Sequence, residues 1–442
     1  MLAGALRSGR EAGGIVNGVN VLDELRWRGL VYDRTEGLDE VMAAGPVTVY
    51  IGFDPTASSL HVGSLLPIMS LARLQRFGHS PIALVGGGTG LIGDPSGKAS
   101  ERALLTVEQT EENAAGIHRQ LERFLDFSAA ANPARMVNNA DWLRTVSLIE
   151  FLRDTGKHFT VQSMTARESV KRRLASDEGL SFTEFSYQLL QAYDYLVLHE
   201  RYGCTLQAGG SDQWGNIVAG CDLIRRVRGA KAHGLVLPLV TTSAGTKFGK
   251  TEAGTVWLDG ARTSPFRFFQ FWLRTDDRDV EQYLKWFTFR TAAEVEAIVA
   301  AHRGAPERRE AQRALAAEMT RMVHGDAELA RAERATQVLF GGRLADADPD
   351  DILLVFDDVP SVDLPAAALT GAGLGAADAA VQSGLTASKG EANRLVKQGG
   401  LYVNDRRLAE GSAHITAADL IGGRVAVLRK GQRERRVLRI TA

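Results

Sequence analysis

The stretch "VTVYIGFDPTASSLHVGSLLP", Val47–Pro67, decides the fold. Its first seven residues are mostly β-branched or aromatic and predict a strand, and the Asp-Pro-Thr and Ser-Ser that follow favour a turn. His61 and Gly63 lie where this turn meets a predicted apolar helix. A helix N-terminus offers backbone N–H groups and a positive dipole, so this junction predicts an anion site. The alternative is an ordinary helix start that contains a histidine.

The same alternation of strands and helices continues along the chain. Ser80–Gly87 and Leu235–Val240 predict strands, and Thr106–Leu125 predicts a long amphipathic helix. Strands separated by helices are typical of βαβ units, so the predicted fold class is α/β with a parallel sheet. Ligands of such sheets bind beyond the carboxyl ends of the strands, where the turn carrying His61 is expected.

Composition changes divide the 442 residues into several parts. Residues 1–20 are Gly-rich and predict a disordered tail, with a targeting segment as the alternative. The α/β domain is expected over 21–245 and a helical domain over 246–340. Residues 341–380 predict an acidic linker that is partly ordered around Ile352–Phe356, and 381–442 predict a small α+β domain.

The net charge of −1 conceals a local imbalance. Between Arg424 and Ala442 the chain has seven basic residues and one acidic residue, Glu434, which favours a polyanionic partner. The alternative is a set of solvated arginines that protect the edge of a hairpin. The two cysteines, Cys204 and Cys221, suggest a reducing compartment, and no apolar run reaches the ~20 residues of a membrane span.

Two glycine-containing loops are candidate ligand sites. "GGGTGLIGDPSGK", Gly86–Lys98, contains the dinucleotide pattern G-x-G-x-x-G, but the Asp-Pro that follows interrupts the helix which that pattern requires. Asp94, Lys98 and Arg102 still follow a loop that allows close backbone approach, with ordinary surface charge as the alternative. "GTKFGKTEAG", residues 245–254, offers Lys247, Lys250 and Thr251 to phosphates, unless it is only a solvated loop.

Two further segments carry polar side chains in informative positions. Tyr187, Gln191 and Asp194 share one face of an otherwise apolar predicted helix, which indicates a pocket lining. Asp212 and Gln213 follow a Gly pair in "QAGGSDQWGN", which predicts a polar turn at a site or else a helix N-cap.

Taken in order, these segments resemble a known family. "HVGS" and "KFGKT" are similar to the two signature sequences of class I aminoacyl-tRNA synthetases. "YIGFDPTASSLHVG", "LVGGGTGLIGDPSGKASER", "SFTEFSY", "LLQAYDYL", "GGSDQWGNI" and "GTKFGKTEAGT" look like segments of bacterial-type tyrosyl-tRNA synthetases. The tail from about Val381 resembles an S4-type RNA-binding module. The resemblance covers the chain from about Val21 to its C-terminus.

The resemblance implies a Rossmann-like catalytic domain, a helical domain and an S4-type C-terminal domain. The implied reaction activates L-tyrosine with ATP to tyrosyl-AMP and pyrophosphate, and then transfers tyrosine to the 3′-terminal adenosine of tRNA(Tyr). ATP with Mg²⁺ is the implied substrate, with no tightly bound cofactor and no protein metal site. A homodimer in the cytoplasm, without membrane contact, is also implied.

The resemblance also assigns site residues. It implies a tyrosine site at Tyr50, Asp94, Tyr187, Gln191, Asp194 and Gln213. It implies ATP contacts at Gly52, Asp54, His61, Gly63, Ser64, Asp212, Lys247, Phe248, Gly249, Lys250 and Thr251. It implies catalytic roles for His61, Thr56, Lys247, Lys250, Thr251, Lys98 and Arg102. It implies RNA contacts at Lys389, Arg394, Lys397, Arg406, Arg407, Arg433, Arg435 and Arg436.

Two positions depart from the family pattern. Ser64 replaces the second histidine of the first signature, and Ile51 replaces a cysteine that is common before Gly52. Both changes suggest altered nucleotide contacts. A nicotinamide-dependent oxidoreductase, based on the glycine pattern, and a non-catalytic RNA-binding protein, based on the tail, remain as alternatives.

Overall fold

The computed structural model describes residues 15–16, 19–94, 105–175, 179–245, 248–251, 254–339, 343–344, 347–356, 359–410, 414–431 and 434–441. They form two compact units. The first unit is drawn from the described parts of residues 1–263 and 272–323, and the second from those of residues 264–271 and 324–442.

A mixed sheet forms the centre of the first unit. Its strands and the short hairpins beside it are β1 Ile15–Val16, β2 Val19–Asn20, β3 Asp33–Arg34, β4 Thr48–Phe53, β5 Ser80–Val85, β6 Arg135–Asn138, β7 Cys204–Gly210, β8 His233–Leu237, β9 Lys250–Thr251 and β10 Gly254–Thr255. Six of them form one sheet in the order β3-β8-β7-β4-β5-β6. Its pairs are parallel except β3 with β8, which confirms the predicted α/β class.

Helices connect these strands. They are α1 Val21–Trp27, α2 Leu38–Ala44, α3 Leu65–Arg76, α4 Val107–Leu121, α5 Ala140–Leu143, α6 Leu148–Asp154, α7 Val161–Thr165, α8 Glu168–Leu174, α9 Phe182–Tyr202 and α10 Trp214–Arg228. Their ends carry recognisable signals: Ser181 caps the start of α9, and Gly203, at φ 63°, ends it. No helix in the described residues is both long enough and apolar enough to span a membrane.

The central strand β7 is absent from the sequence-based expectations. The sequence predicts a polar turn at Asp212 and Gln213 and no strand before it. In the structure Gln207–Gly210 belongs to β7, and a helical turn at Ser211–Gln213 follows. Glycine, alanine and glutamine have low intrinsic strand propensity, so tertiary burial between β8 and β4 determines this strand. β6 is also absent from the expectations, but for a different reason: it is only four residues long.

The predicted tail and helical region are only partly as expected. Ile15–Val16 pairs with Val19–Asn20 inside the tail that was predicted to be disordered, and residues 1–14 lie outside the described residues. The helices between residues 264 and 325 are α11 Pro265–Leu273, α12 Val280–Phe287, α13 Ala292–Gly304 and α14 Glu310–His324. They match the predicted helical character of this region.

Gly116 tests the packing of α4 against the turn before His61. Alanine at a helix interior ordinarily stabilises by about 1 kcal/mol relative to glycine. Here a Cβ would lie 2.1 Å from the carbonyl oxygen of Ser58. We therefore expect Gly116→Ala to lower the free energy of unfolding by about 2 kcal/mol in urea denaturation. Gly304→Ala is the control, because its Cβ meets no described atom within 4 Å; equal effects of both changes would contradict this packing.

The second unit contains a C-terminal sheet. Its helices and strands in the described residues are α15 Asp326–Leu339, α16 Pro349–Val355, β11 Ser361–Pro365, β12 Leu374–Gly375, α17 Ala376–Gln382, α18 Lys389–Gln398, β13 Leu401–Val403, β14 Arg406–Arg407, β15 His414–Ile415, β16 Val425–Lys430 and β17 Glu434–Thr441. Five strands have the order β11-β17-β16-β13-β14. Helix α18 ends at Gly399, φ 65°, and the turn after β13 has Asn404 at φ 52°.

The interval that was predicted to be a linker contributes to this sheet. β11 pairs in parallel with β17, from Ser361 opposite Val437 to Pro365 opposite Thr441. Ala376 and Ala379 of α17 are buried in the same apolar cluster as Leu428. The acidic, Ala- and Gly-rich composition concealed this structure, because small side chains pack closely and β11 is an edge strand. The linker expectation is therefore wrong for residues 361–380, whereas the domain limits stay predictions.

Candidate active site

A cleft of about 720 Å³ lies at the carboxyl ends of β4, β5, β7 and β8 in the first unit. This is the sheet edge that the sequence predicted. The predicted residues that line it are Tyr50, Gly52, Asp54, Thr56, His61, Gly63, Ser64, Asp94, Tyr187, Gln191, Asp194, Asp212, Gln213 and Phe248. One cavity therefore brings together residues from five separate sequence segments.

Asp194 is the most buried carboxylate of the cleft, with 1% of its surface exposed. Its two oxygens accept hydrogen bonds from Trp142 Nε1 at 2.7 Å and Asn139 Nδ2 at 2.9 Å. Burial raises the pKa of Asp194 to about 7, although these two hydrogen bonds favour the ionised form. A carboxylate has about four acceptor positions, so Asp194 retains capacity for another donor.

Tyr50 also lines the cleft, from the centre of β4. Its ring lies 5.3 Å from that of Tyr195, and only 1% of Tyr50 is exposed. No described residue hydrogen-bonds its hydroxyl. Burial, followed by the nearby charge of Asp194, raises the pKa of Tyr50 well above its ordinary value, so the hydroxyl keeps its proton as a donor.

A second carboxylate, Asp54, is connected to Asp194 through side chains. Asn139 donates to Thr89 Oγ1 at 2.9 Å, and Thr89 donates to Asp54 Oδ1 at 3.0 Å. Tyr187 donates to the other oxygen of Asp54 at 2.9 Å. Burial raises the pKa of Tyr187 well above its ordinary value, and the charge of Asp54 adds to this effect. Asp54, expected near the nucleotide, thus also orients a predicted tyrosine-site residue.

An amide cluster forms another wall. Gln213 donates to Asp94 at 2.7 Å and accepts from Gln191 at 3.2 Å. Asn216 donates to Gln191 Oε1 at 3.0 Å. These contacts connect Asp94 to Gln191 through Gln213, so this wall presents a carboxylate and amide oxygens suited to a ligand ammonium group.

The cleft mouth has the opposite polarity. His61 Nδ1 accepts a hydrogen bond from the backbone N–H of Gly63 at 3.0 Å, immediately before α3. A Cβ at Gly63 would lie 2.7 Å from His61 Cε1, so glycine at this position allows the imidazole to lie over the backbone. Because a backbone N–H can only donate, Nδ1 is the acceptor and the neutral ring carries its proton on Nε2. The mouth therefore presents donors.

The lysine loop packs beside this mouth. A Cβ at Gly249, φ 79°, would lie 2.6 Å from Val62 Cγ2 and 3.6 Å from the Gly63 nitrogen. The Phe248 ring is stacked 5.6 Å from that of Phe287, which anchors the loop in an aromatic cluster. Lys250 is exposed and does not line the cleft. Lys98, Arg102 and Lys247, and the side chain of Thr251, lie outside the described residues.

Sequence reasoning missed several side chains that build the cleft. Asn139 and Trp142 hold Asp194, Thr89 joins it to Asp54, and Gln207 lines the cavity from β7. A polar pair, Asn138-Asn139, at the end of the short run "RMVN" was the available signal for the first of these. Polar residues at the carboxyl end of a parallel strand commonly face the ligand.

The basic residues predicted to bind RNA lie in the second unit. Lys389, Lys397 and Arg406 form ion pairs with Asp378, Glu410 and Asp419, with their side chains 45–66% exposed. Arg394 is exposed, and Arg407 donates a hydrogen bond to the Gln398 carbonyl. The guanidinium carbon of Arg435 lies 5.7 Å from the centroid of the Phe356 ring. Arg436 donates hydrogen bonds to the Ser383 and Gly384 carbonyls. Arg433 is outside the described residues. Exposed ion pairs contribute little, so phosphates can compete for these cations.

Comparison with known proteins agrees with this geometry. Residues 42–341 match the family model of class I tRNA synthetases (W and Y), and residues 351–437 match the tyrosine-tRNA ligase SYY-like C-terminal domain. A tyrosine-tRNA ligase of Roseiflexus castenholzii is 57% identical over 420 residues, covering 95% of this chain and 99% of the relative. One from Anaeromyxobacter dehalogenans is 53% identical over 424 residues, covering 95% and 99%.

A solved structure gives the same result. The C-terminally truncated mitochondrial tyrosyl-tRNA synthetase of Aspergillus nidulans matches with a TM-score of 0.67 and 32% identity, over 76% of this chain and 97% of that one. The family matches together span both units. The chain therefore belongs to the tyrosine-tRNA ligase family of class I tRNA synthetases.

Proposed function

We propose that this chain activates L-tyrosine with ATP to form tyrosyl-AMP and pyrophosphate, and then transfers tyrosine to the 3′-terminal adenosine of tRNA(Tyr). One observation carries the proposal: a single cleft combines a buried acceptor and donor suited to a phenol with a donor-rich helix mouth suited to phosphates. Family membership supports the same reaction.

The deep end of the cleft fits the amino-acid side chain. Asp194 accepts a hydrogen bond from the substrate phenol, and Tyr50 donates one to the phenol oxygen. Asp94, Tyr187 and Gln191 hold the ammonium group, and Gln213 lies beside the carboxylate. The hydrogen bonds already present between these side chains fix their orientation before tyrosine binds, which reduces the entropic cost of alignment.

The chemistry at the mouth requires no general base, because the tyrosine carboxylate is already ionised at neutral pH. It attacks the α-phosphorus of ATP, and the bond to the pyrophosphate oxygen breaks. His61 Nε2–H, Thr56 and backbone N–H groups stabilise charge on the phosphates from one side. The same role is proposed for Lys247, Lys250 and Thr251 of the lysine loop and for Lys98 and Arg102. Mg²⁺ enters as part of the ATP substrate.

The nucleotide lies along the remaining wall. Gly52 faces open space, since a Cβ there would meet no described atom within 4 Å, and this leaves room for the ribose. Asp212 binds the ribose hydroxyls, and Gly63 and Ser64 lie near the adenine. Ser64 is a shorter, neutral substitute for histidine, and Ile51 cannot donate to a ribose. These departures alter nucleotide contacts while retaining His61.

The second step uses the basic surface of the second unit. A ribose hydroxyl of the tRNA attacks the carbonyl carbon of tyrosyl-AMP, and AMP leaves with the electrons of the broken bond. The tRNA phosphates are bound by Lys389, Arg394, Lys397, Arg406 and Arg407.

We also propose that the protein acts in the cytoplasm.

We also propose a homodimer. The sequence of the apolar stretch Phe266–Trp272 is compatible with either a contact surface or the core. In the structure it is core, with at most 5% of Phe266, Phe268, Phe269 and Trp272 exposed. Exposed apolar side chains instead occur on α6–α9, at Leu148, Ile149, Leu152, Val161, Leu174 and Phe182. Each is 46–78% exposed, and these side chains offer apolar surface to a second copy of the chain.

Tyrosine-dependent exchange of labelled pyrophosphate into ATP tests the proposed reaction directly. We expect exchange with tyrosine, none without an amino acid, and charging of tRNA(Tyr) when it is added. NADH binding, seen as a fluorescence change, with no exchange would support the oxidoreductase instead. RNA binding without exchange would support a non-catalytic RNA-binding protein.

His61→Ala tests the proposed donor at the mouth. We expect the rate of adenylate formation to fall about a hundredfold in single-turnover measurements, because a hydrogen bond to developing phosphate charge is lost. The dissociation constant for tyrosine stays within twofold, since His61 lies outside the phenol and ammonium positions. A weakened tyrosine affinity with an unchanged rate would contradict this role.

A further inference from the structure

The segment that follows the lysine loop runs beside the backbone of His61. Val62 N–H donates to the Val256 carbonyl at 3.0 Å, and Leu258 N–H donates to the Leu60 carbonyl at 2.9 Å. Between these bonds, His61 and Trp257 form an antiparallel bridge. This is the non-hydrogen-bonded type of pair, in which facing side chains lie closest together and on the same side of the ladder.

The Trp257 indole contacts the imidazole of His61. The two ring centroids lie 6.1 Å apart with an angle of 67° between the planes, which is an edge-to-face contact. Gly63 provides a second contact, because its nitrogen donates a hydrogen bond to His61 Nδ1. His61 is exposed, so without the indole its ring would sample other rotamers in solvent.

Trp257 is itself held in place. The Arg262 guanidinium carbon lies 3.5 Å from the centroid of the Trp257 ring, a cation–π contact. The Trp257 backbone N–H donates to Thr263 Oγ1 at 2.9 Å. The indole therefore has a fixed position between a cation and the imidazole.

We infer that Trp257, held by Arg262, is a positioning residue that keeps His61 in the rotamer with Nδ1 on the Gly63 N–H and Nε2–H presented to the cleft. The inference rests on the role proposed above for His61. Because residues 256–258 continue directly from the lysine loop, the same contact fixes the end of that loop relative to His61. Neither Trp257 nor Arg262 lines the cleft, so both act through other residues.

A double-mutant cycle tests this inference in the full-length protein. We expect Trp257→Leu to lower the single-turnover rate of adenylate formation about fivefold, with tyrosine affinity unchanged. Trp257→Phe restores most of the rate because it keeps an aromatic edge contact, and Arg262→Gln lowers the rate by about twofold. In the His61→Ala background, Trp257→Leu changes the remaining rate by less than about 1.5-fold.

Trp27→Leu is the matched control, because Trp27 also lies beneath an arginine, at 4.7 Å from Arg28, but does not line the cleft. Its adenylation rate stays unchanged. An equal loss from Trp257→Leu in both backgrounds, or no loss in the parent, overturns the inference while leaving the proposed reaction intact. If Trp257→Leu does not fold, the same cycle is measured with Arg262→Gln in its place, and a loss of rate that disappears in the His61→Ala background supports the inference. No effect of His61→Ala alone instead refutes the proposed role of His61.

Discussion

Asp194→Asn is expected to reduce kcat/KM for tyrosine in pyrophosphate exchange by about a hundred- to a thousandfold. Asp194 accepts from both Asn139 and Trp142, and in the proposed tyrosine site its remaining acceptor capacity would serve the substrate phenol. An asparagine has one acceptor oxygen and one donor NH₂ group, so the NH₂ group would face a buried donor. A lost or opposed hydrogen bond to a charged group costs about 1.5–3 kcal/mol. Two losses of about 1.5–2 kcal/mol each sum to about 3–4 kcal/mol, which corresponds to this range.

The pH dependence provides an independent check of the same residue. Burial raises the pKa of Asp194 from 3.8 to about 7, so the folded protein binds this proton more tightly than the unfolded chain. Its contribution to the free energy of unfolding is therefore full below pH about 4 and is lost as pH rises to about 7. Tyrosine affinity changes in the opposite direction, rising with pH through about 7 as the acceptor ionises. Asp194→Asn is expected to remove both dependences, and an unchanged pH profile would contradict the assignment.

Tyr50→Phe is the matched control for this experiment. The Tyr50 hydroxyl is buried with no hydrogen-bond partner among the described residues, so removing it leaves the free energy of unfolding unchanged or higher. Tyrosine affinity should still fall about tenfold, because a donor to the substrate phenol is lost. A parallel loss of stability and affinity would mean that Tyr50 acts mainly in packing.

Deletion of residues 349–442 is expected to separate the two steps of the reaction. Tyrosine-dependent exchange stays within about twofold, because the whole cleft is in the first unit. Charging of tRNA falls at least about a hundredfold, since the basic residues that would bind tRNA phosphates are removed. The cut precedes α16 because a cut at residue 381 would sever α17 and remove β17 from beside β11.

A milder variant controls for damage from the deletion. Glutamine at Lys389, Arg394 and Lys397 removes three exposed charges while the C-terminal sheet stays in place. We expect weaker tRNA binding and a shallower dependence of log affinity on log salt concentration. Equal loss of exchange and charging after the deletion would show that the tail supports the fold of the first unit rather than binding tRNA.

Local signals made parts of this fold predictable. The β4–turn–α3 segment combines a strand-like run with a turn and an apolar helix, and the structure has these elements at Thr48–Phe53 and Leu65–Arg76. The helix end at Gly399 likewise depends only on a local left-handed backbone. β7 pairs with β8, whose first residue is His233, and with β4, which begins at the much more distant Thr48. β11 pairs with β17 from Val437 onward, 76 residues beyond Ser361. Such pairing has no local signature.

The candidate site shows the same division. Tyr187, Gln191 and Asp194 could be grouped from helical spacing alone, and the structure places all three on the cleft wall. Asn139 and Trp142 could not be assigned to the site in this way. They donate hydrogen bonds to Asp194, which lies 55 and 52 residues later in the sequence. Buried carboxylates need partners, but the sequence does not say which donors will supply them.

The buried carboxyl of Asp194, at the end of the hydrogen-bonded path through Asn139 and Thr89 to Asp54, has a calorimetric consequence. With the pKa of Asp194 at about 7, much of this carboxyl carries a proton at pH 6.5. Binding of a phenol that donates to the carboxylate expels that proton into the buffer. At pH 6.5 the measured heat of tyrosine binding should therefore differ between phosphate and Tris by about three-quarters of the difference between the two buffers' ionisation enthalpies. At pH 8.5 the heats in the two buffers should agree.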